Sequence, residues 1–392
     1  MLDHLRVLDL ADGSGLLCGR ILADLGADVI LLEPAGGSPA RRSPPLHAGH
    51  SLNWLIGSLN KRSVTCEVPS PMFDRLLAHA DVVVQTDHVL DYAMLAEHHP
   101  WLIVATLTPF GSWGPLADTS ASDLEITAAS GALWLAGEPD RPPVRTSVPQ
   151  TPFWTGMYAA AGVLMAVLAR DLTGRGQHVD VSAQASMLTA TSQAPIFWDL
   201  LGEEQRRSGE FLVGRSITGA RFRNVWPCRD GHVTFALYGG QAGRETARAL
   251  CAWMADELPD GVPEPLRSLD WEQFDVATAS QELVSSIELA IAPFFASLTK
   301  AEFLTGVTAR NMLGYPVSTV ADVAEDQQLA CRNFWQTAPA PWRGEMCLPG
   351  GFAVFDGERP TVRRGSPMPG EHTDEVLAEL GLGLGLEVAA LV

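Results

Sequence analysis

Lysine is almost missing from this sequence: Lys61 and Lys300 are the only two in 392 residues. The 27 basic side chains face 46 acidic ones, a formal charge of −19 at pH 7. That balance argues against general nucleic-acid binding, which needs clustered Lys and Arg on phosphates. It argues equally against an anionic membrane surface. No apolar run approaches the roughly 18 residues of a membrane span. The best candidate, Met157 to Ala169, is rich in Ala and Gly and suits a buried helix. The six cysteines are scattered, with no CxxC and no Cys/His spacing of a zinc site, so no metal is expected. Reduced thiols in a cytoplasmic protein are the expectation. The opening residues show no basic segment leading into an apolar one, so no secretory leader is read there. What is present is a folding composition: 46 % hydrophobic and 19 % charged. The length suits two domains. Arginine must carry almost all anion binding.

The N-terminal part alternates strand and helix signals. Arg6 to Leu10 reads as a strand, Asp12-Gly13-Ser14-Gly15 as a turn, and Leu16 to Leu25 as a helix closed by Gly26. Val29 to Leu32 is a short, fully apolar strand. This order implies a parallel sheet buried on both faces. The pattern recurs in a helix at Met72 to His79 and strands at Asp81 to Val84 and Trp101 to Ala105. Helices are predicted over Asp123 to Leu135 and Met157 to Leu168, then a half-buried or edge strand at His178 to Val181. After about residue 200 the chain turns linker-like, then acidic and helix-rich to about 310. Ala338 to Gly370 reads as a Pro/Gly-rich tail before a last helix, Thr373 to Leu380. Gly13-Ser14-Gly15 is a weak dinucleotide signal, because Cys18 stands where a third glycine belongs. The helix start there still offers N–H groups to an anion.

Several segments, in order from end to end, resemble the family III CoA-transferases. They include Leu22-Ala23-Asp24-Leu25-Gly26-Ala27-Asp28-Val29-Ile30 with Glu33-Pro34, Asn60-Lys61-Arg62-Ser63-Val64, and Pro142-Pro143-Val144-Arg145. Gly174-Arg175-Gly176-Gln177-His178-Val179-Asp180-Val181-Ser182 is especially specific, and Gly370-Glu371-His372-Thr373 follows near the end. The resemblance implies an α/β fold: a large Rossmann-like domain from residues 1–200 with 330–392, and a smaller α+β domain from 215–325. It implies a ring-shaped subunit in an interlocked dimer. Coenzyme A or acyl-CoA enters as substrate, with a carboxylic acid as second substrate and no permanently bound cofactor.

The family's transferases use an aspartate that attacks the acyl-CoA thioester and forms a mixed anhydride; the thiolate leaves and later returns to another acyl group. Here that position falls on Pro152, and Arg141 to Arg170 contains no Asp or Glu at all. Proline supplies neither nucleophile nor N–H. The racemase branch fares no better, with Ser122 in the place of its histidine. Asp123 and Glu125 are the remaining acidic candidates, each read first as a helix-start residue. The resemblance places coenzyme A contacts at Ser14, Gly15, Arg41, Asn60, Lys61 and Arg62. The basic residues suit phosphate oxygens. The family's Asn-Phe-Arg-Pro-Gly loop has become Gln85-Thr86-Asp87-His88-Val89, with Tyr92 in an arginine's place. Gly214 and Gly219 represent its glycine-rich lid only loosely, and Gly239-Gly240 is read as opening the following helix. Trp54, Trp113, Trp134, Trp154 and Trp198 are core or acyl-pocket candidates. The expectation is a CoA-transferase-like subunit that lacks its nucleophile and pairs with a homologous, aspartate-bearing chain. An active transferase, lyase, hydrolase or isomerase with an altered site, and a non-enzymatic acyl-CoA binder, stay open beside it.

Overall fold

The computed structural model describes residues 1–86, 88–213, 219–237, 240–342 and 344–381. The chain divides into two compact units, 1–132 with 146–191 and 327–392, and 133–145 with 192–326.

The first unit is built on six parallel strands: β1 (Arg6–Asp9), β2 (Asp28–Glu33), β3 (Arg62–Thr65), β4 (Val82–Thr86), β5 (Ile103–Thr108) and β6 (His178–Ser182). Their order is β3-β2-β1-β4-β5-β6. Val7 lies between Val29 and Val82, and Val104 pairs with His178 at the edge. The apolar runs of β2 and β4 fit strands covered on both faces. The chain winds outward from β1 to β3, then returns beside β1 and winds the other way. β1 and β4 therefore flank a topological switch point, where ligands of open α/β sheets bind beyond the strands' carboxyl ends.

Four helices matter for that edge: α1 (Leu16–Asp24), α2 (Asp123–Ala129), α3 (Thr151–Thr173) and α4 (Ala183–Ala190). α1 and α3 bury Cys18, Leu22, Ala159, Ala160 and Val163 against Val7, Val82 and Ile103 of the sheet. α2 is shorter than expected, because Ser130 ends it and Gly131 turns left-handed at φ +78. α3 is longer than expected at both ends. Gly174, at φ +71, closes it, and a borrowed carboxylate opens it, as described below. The tail read as irregular contains an antiparallel hairpin, Trp335–Ala340 with Gly344–Pro349. The last helix, Thr373–Glu379, returns to β3: His372 N–H donates to the Ser63 carbonyl, and Thr373 Oγ1 accepts from Thr65 N–H.

The second unit has an aromatic core. Phe295 meets Trp226, Phe235 and Phe303 edge-on at 5.2–5.5 Å between ring centres. Helices Gly240–Glu257, Gln281–Ser297 and Lys300–Ala309 pack there with a three-stranded antiparallel sheet. Lys300 pairs with Asp322, holding the carboxyl down at about 2.

Candidate functional site

The switch point is closed from below by Ala11, just past β1, and by Thr86 of β4. Asp12 N–H donates to Thr86 Oγ1 at 3.1 Å. Gly15, the residue before α1, packs so closely that a Cβ would lie 2.7 Å from Ala11 Cβ and 2.8 Å from Thr86 Cγ2. Asp12, Gly13 and Ser14 are exposed above them. Among the described residues, the N–H groups of Gly13, Ser14 and Leu17 donate to nothing, while those of Gly15 and Leu16 return to the Asp12 carbonyl. No acidic side chain stands in α1's first turn. The start of α1 thus presents free donors and the positive end of a helix dipole.

α3 begins beside α1. A Cβ on Gly156 would sit 2.7 Å from Leu17 Cβ and 3.2 Å from Cys18 N, so glycine is what lets the helices meet one turn from both starts. Unlike α1, α3 has no free donor at its opening. Gln150, its N-cap, makes no side-chain cap. Asp123 of α2 supplies one instead: its Oδ1 accepts from Gln150 N–H at 2.8 Å, Thr151 N–H at 2.9 Å and Thr151 Oγ1 at 2.9 Å. Pro152 has no N–H. Phe153 and Trp154 N–H both turn back to the Gln150 carbonyl. Proline is tolerated here because the first helical turn leaves its N–H unneeded. Glu125 serves α2 alone: it closes a capping box with Ser122. The Ser122 hydroxyl and backbone N–H hold its exposed carboxyl below the usual range.

The six residues expected around coenzyme A do not share one surface. Ser14 and Gly15 lie at the open start of α1. Lys61 lies beneath that start and has no exposed surface: its Nζ donates to Asp9 Oδ2 at 2.7 Å and to the Leu16 carbonyl at 2.8 Å. Asp9 in turn accepts from Ala11 N–H. Asn60, left-handed at φ +64, holds the other end of α1 through Asp24 at 2.6 Å, and its Oδ1 accepts from the N–H groups of Arg363 and Arg364. Arg62, the next residue and the first of β3, points to the opposite side. There it pairs with Asp28, Glu375 and Glu379 at 2.7–3.0 Å. Expected from its charge to face phosphate, Arg62 instead ties β3 to the last helix.

Arg41 forks onto Glu33 at 2.6 and 2.7 Å, donates to the Pro367 carbonyl, and lies 4.4 Å above the Trp54 ring. Burial pushes the Glu33 carboxyl up. Arg41, Ser38 N–H and the Ser63 hydroxyl together outweigh that and hold it below its ordinary value. In the altered loop, Gln85 donates to Thr106 and to the Leu90 carbonyl and accepts from Leu90 N–H. Tyr92 stacks on His178. Asp87, Gly214 and Gly239 lie outside the described residues. Asp9 and Glu33 escaped sequence reasoning as site-shaping residues, and only their placement at strand ends hinted at them.

The chain as a whole has clear counterparts among known proteins. The pattern described as CoA-transferase family III matches residues 2–373. The chain is 32 % identical over 398 residues to the succinyl-CoA:(R)-benzylsuccinate CoA-transferase subunit BbsE of Thauera aromatica, covering 97 % of this chain and 94 % of that one. It is 29 % identical over 395 residues to the succinyl-CoA–L-malate CoA-transferase beta subunit of Chloroflexus aurantiacus, with the same coverage. The crystal structure of a CAIB/BAIF family protein from Brucella suis superposes with a TM-score of 0.77 at 25 % identity, over 97 % of this chain and 99 % of that one. From near its first residue to its last helix, the chain belongs to CoA-transferase family III.

Proposed function

We propose that this chain is the acyl-CoA-binding, nucleophile-free subunit of a CoA-transferase that moves coenzyme A between carboxylic acids. The observation that carries this is the opening turn of α3. In the family register the nucleophile position is Pro152, and every N–H of that turn is either absent or used. The turn itself carries no carboxylate to attack a thioester carbon and no spare N–H to hold the resulting oxyanion. The start of α1, by contrast, keeps donors suited to a phosphate or carbonyl oxygen. One half of a transferase site is open and the other is closed.

A homologous chain with an aspartate at this register completes the reaction. Its carboxylate takes the acyl group as a mixed anhydride while the thiolate leaves, and the thiolate later returns. The two relatives named above are each described as a subunit, which supports this arrangement. Their names also suggest succinyl-CoA as donor. The ring-shaped subunit, its interlocking with a second chain and a cytoplasmic location belong to the same proposal.

Intact-mass analysis tests it. The chain is incubated with succinyl-CoA, quenched with borohydride or hydroxylamine, and weighed, while calorimetry follows coenzyme A binding. Binding without an adduct is expected. An adduct on this chain, or CoA transfer by it alone, overturns the proposal.

One observation favours an active site within the chain: among the described residues, Asp123 Oδ2 accepts no hydrogen bond. If Asp123 is the base or nucleophile, Asp123→Asn abolishes turnover while keeping the cap.

A further inference from the structure

A row of polar side chains crosses the sheet from its edge strand to the chain beyond β4. Gln85, 1 % exposed, donates from Nε2 to the Leu90 carbonyl and to Thr106 Oγ1, each at 3.0 Å, and its Oε1 accepts from Leu90 N–H at 2.9 Å. Thr106 of β5, also 1 % exposed, lies 2.9 Å from Nε2 of His178 on β6. The half-buried imidazole stacks on Tyr92, 5.5 Å between ring centres and 14° between planes. Tyr92 is the first residue of the helix Tyr92–His98. The residue after Gln85, Thr86, accepts from Asp12 N–H at the switch point. The row therefore ends beside the floor of the candidate site.

Only one polarity pairs every group in it. A backbone N–H can only donate, so the amide oxygen of Gln85 faces Leu90 N–H. Both amide hydrogens then go to the Leu90 carbonyl and to Thr106 Oγ1. Among the described residues, the hydroxyl proton of Thr106 has one acceptor left, His178 Nε2. The ring is thus neutral, with its proton on Nδ1. Protonation at Nε2 would set a second N–H against Thr106 Oγ1. The buried hydroxyl proton would then have no acceptor, which is costly away from water.

The charged surroundings are few. Asp180, on the same strand as His178, and Asp91, before the helix Tyr92–His98, favour the charged ring, and His88 opposes it. Burial outweighs the two carboxylates and holds the imidazole below its ordinary value. β5 carries no charged residue, and α3 carries only Arg170, paired with Asp81, and the exposed Asp171.

We propose that His178 is a proton-sensitive latch: neutral, it holds Leu90 and Tyr92 through Thr106, Gln85 and the ring stack, and protonated it lets them go. All of these residues belong to the first unit. The latch needs neither coenzyme A nor a second chain, and it stands apart from the subunit role proposed above.

Hydrogen exchange on the full chain tests it, with the Leu90 amide read from pH 8 to 5 by fragmentation and corrected for the intrinsic rate. The latch is fully made above about pH 6.5 and fails as pH falls through the lower folded value. Protection of Leu90 in wild type should fall at least roughly tenfold, while Val83 within β4 keeps its own. His178→Gln offers an uncharged acceptor oxygen near the Nε2 position, so Leu90 should stay protected throughout. His178→Lys carries charge and no acceptor, so Leu90 should exchange fast throughout. Wild-type protection that stays level from pH 8 to 5 overturns the proposal, and that reading needs no variant to fold. So does an equally steep loss in His178→Gln, which would pass the titration to His88 or Asp91.

Discussion

Replacing Lys61 with methionine separates a buried support from a ligand contact. Lys61 and Asp9 have no exposed side-chain surface, and the ammonium spans Asp9 Oδ2 and the Leu16 carbonyl. Methionine matches the stem in volume but leaves the Asp9 carboxylate without its counter-ion in a dry environment. Breaking one partner out of a buried ion pair costs about 3–5 kcal/mol. For a unit of this size each kilocalorie moves the midpoint by about 2–4 °C, so the melting point should fall by about 6–20 °C. Calorimetric melting of Lys61→Met measures that directly. Adding Asp9→Asn should recover more than half the loss, because both charges are then gone and an oxygen remains for Ala11 N–H. Coenzyme A affinity should weaken only as far as the start of α1 loosens. If Lys61→Met melts within about 3 °C of wild type yet loses coenzyme A binding outright, Lys61 is a ligand contact and the buried-support reasoning is wrong.

Asp123→Ala should destabilise the first unit by about 1–2 kcal/mol in urea, as expected for a lost cap, and Asp123→Asn by clearly less, since an acceptor oxygen remains. Gly156→Ala should force α1 and α3 apart at Leu17 and Cys18, at a cost of about 1–3 kcal/mol; calorimetry should show weaker coenzyme A binding alongside it. His372 is held below its ordinary value chiefly by burial, and its Nδ1 accepts Ser63 N–H, which only the neutral ring can do. Its contribution is therefore fully present above about pH 6.5 and is lost as pH falls through the lower folded value. Urea midpoints measured from pH 8 to 5 should decline less steeply for His372→Gln than for wild type.

The alternation of β1, α1 and β2 was legible because short apolar runs and a glycine-closed helix are local signals. The length of α3 was not. Its cap comes from Asp123, 27 residues upstream of Gln150, and a proline near a helix start reads equally well as a turn. The hairpin over 335–349 was hidden by Pro339, Gly344 and Pro349, residues that belong at edges and turns as readily as in a tail. The expectation that Pro152 stands at the nucleophile position rested on the absence of any carboxylate across 141–170. The fate of the basic residues was not legible, because charge alone does not say what a cation faces. Lys61, just before β3, turns to one side and Arg62, the first residue of β3, to the other, and each finds carboxylates within the fold.

The asymmetry between the two helix starts yields its own prediction. If α3's opening is closed only by what stands at residue 152, Pro152→Asp should reopen it. An aspartate in the first turn is compatible with helical φ and favoured by the helix dipole by about 0.3–1 kcal/mol, so the fold should be unharmed. It returns a backbone N–H and places a carboxylate beside α1's free donors, since Gly156 holds the two helices in contact. Asp123 still satisfies Gln150 and Thr151, so the new carboxylate is not drawn into the cap. Incubated with succinyl-CoA, the variant should gain a quenchable acyl or coenzyme A adduct at residue 152, located by peptide mass. Wild type should gain none. A variant that melts like wild type, binds coenzyme A and still forms no adduct would show that the site lacks more than its nucleophile. The altered loop from Gln85 to Tyr92 would then be the next place to restore charge.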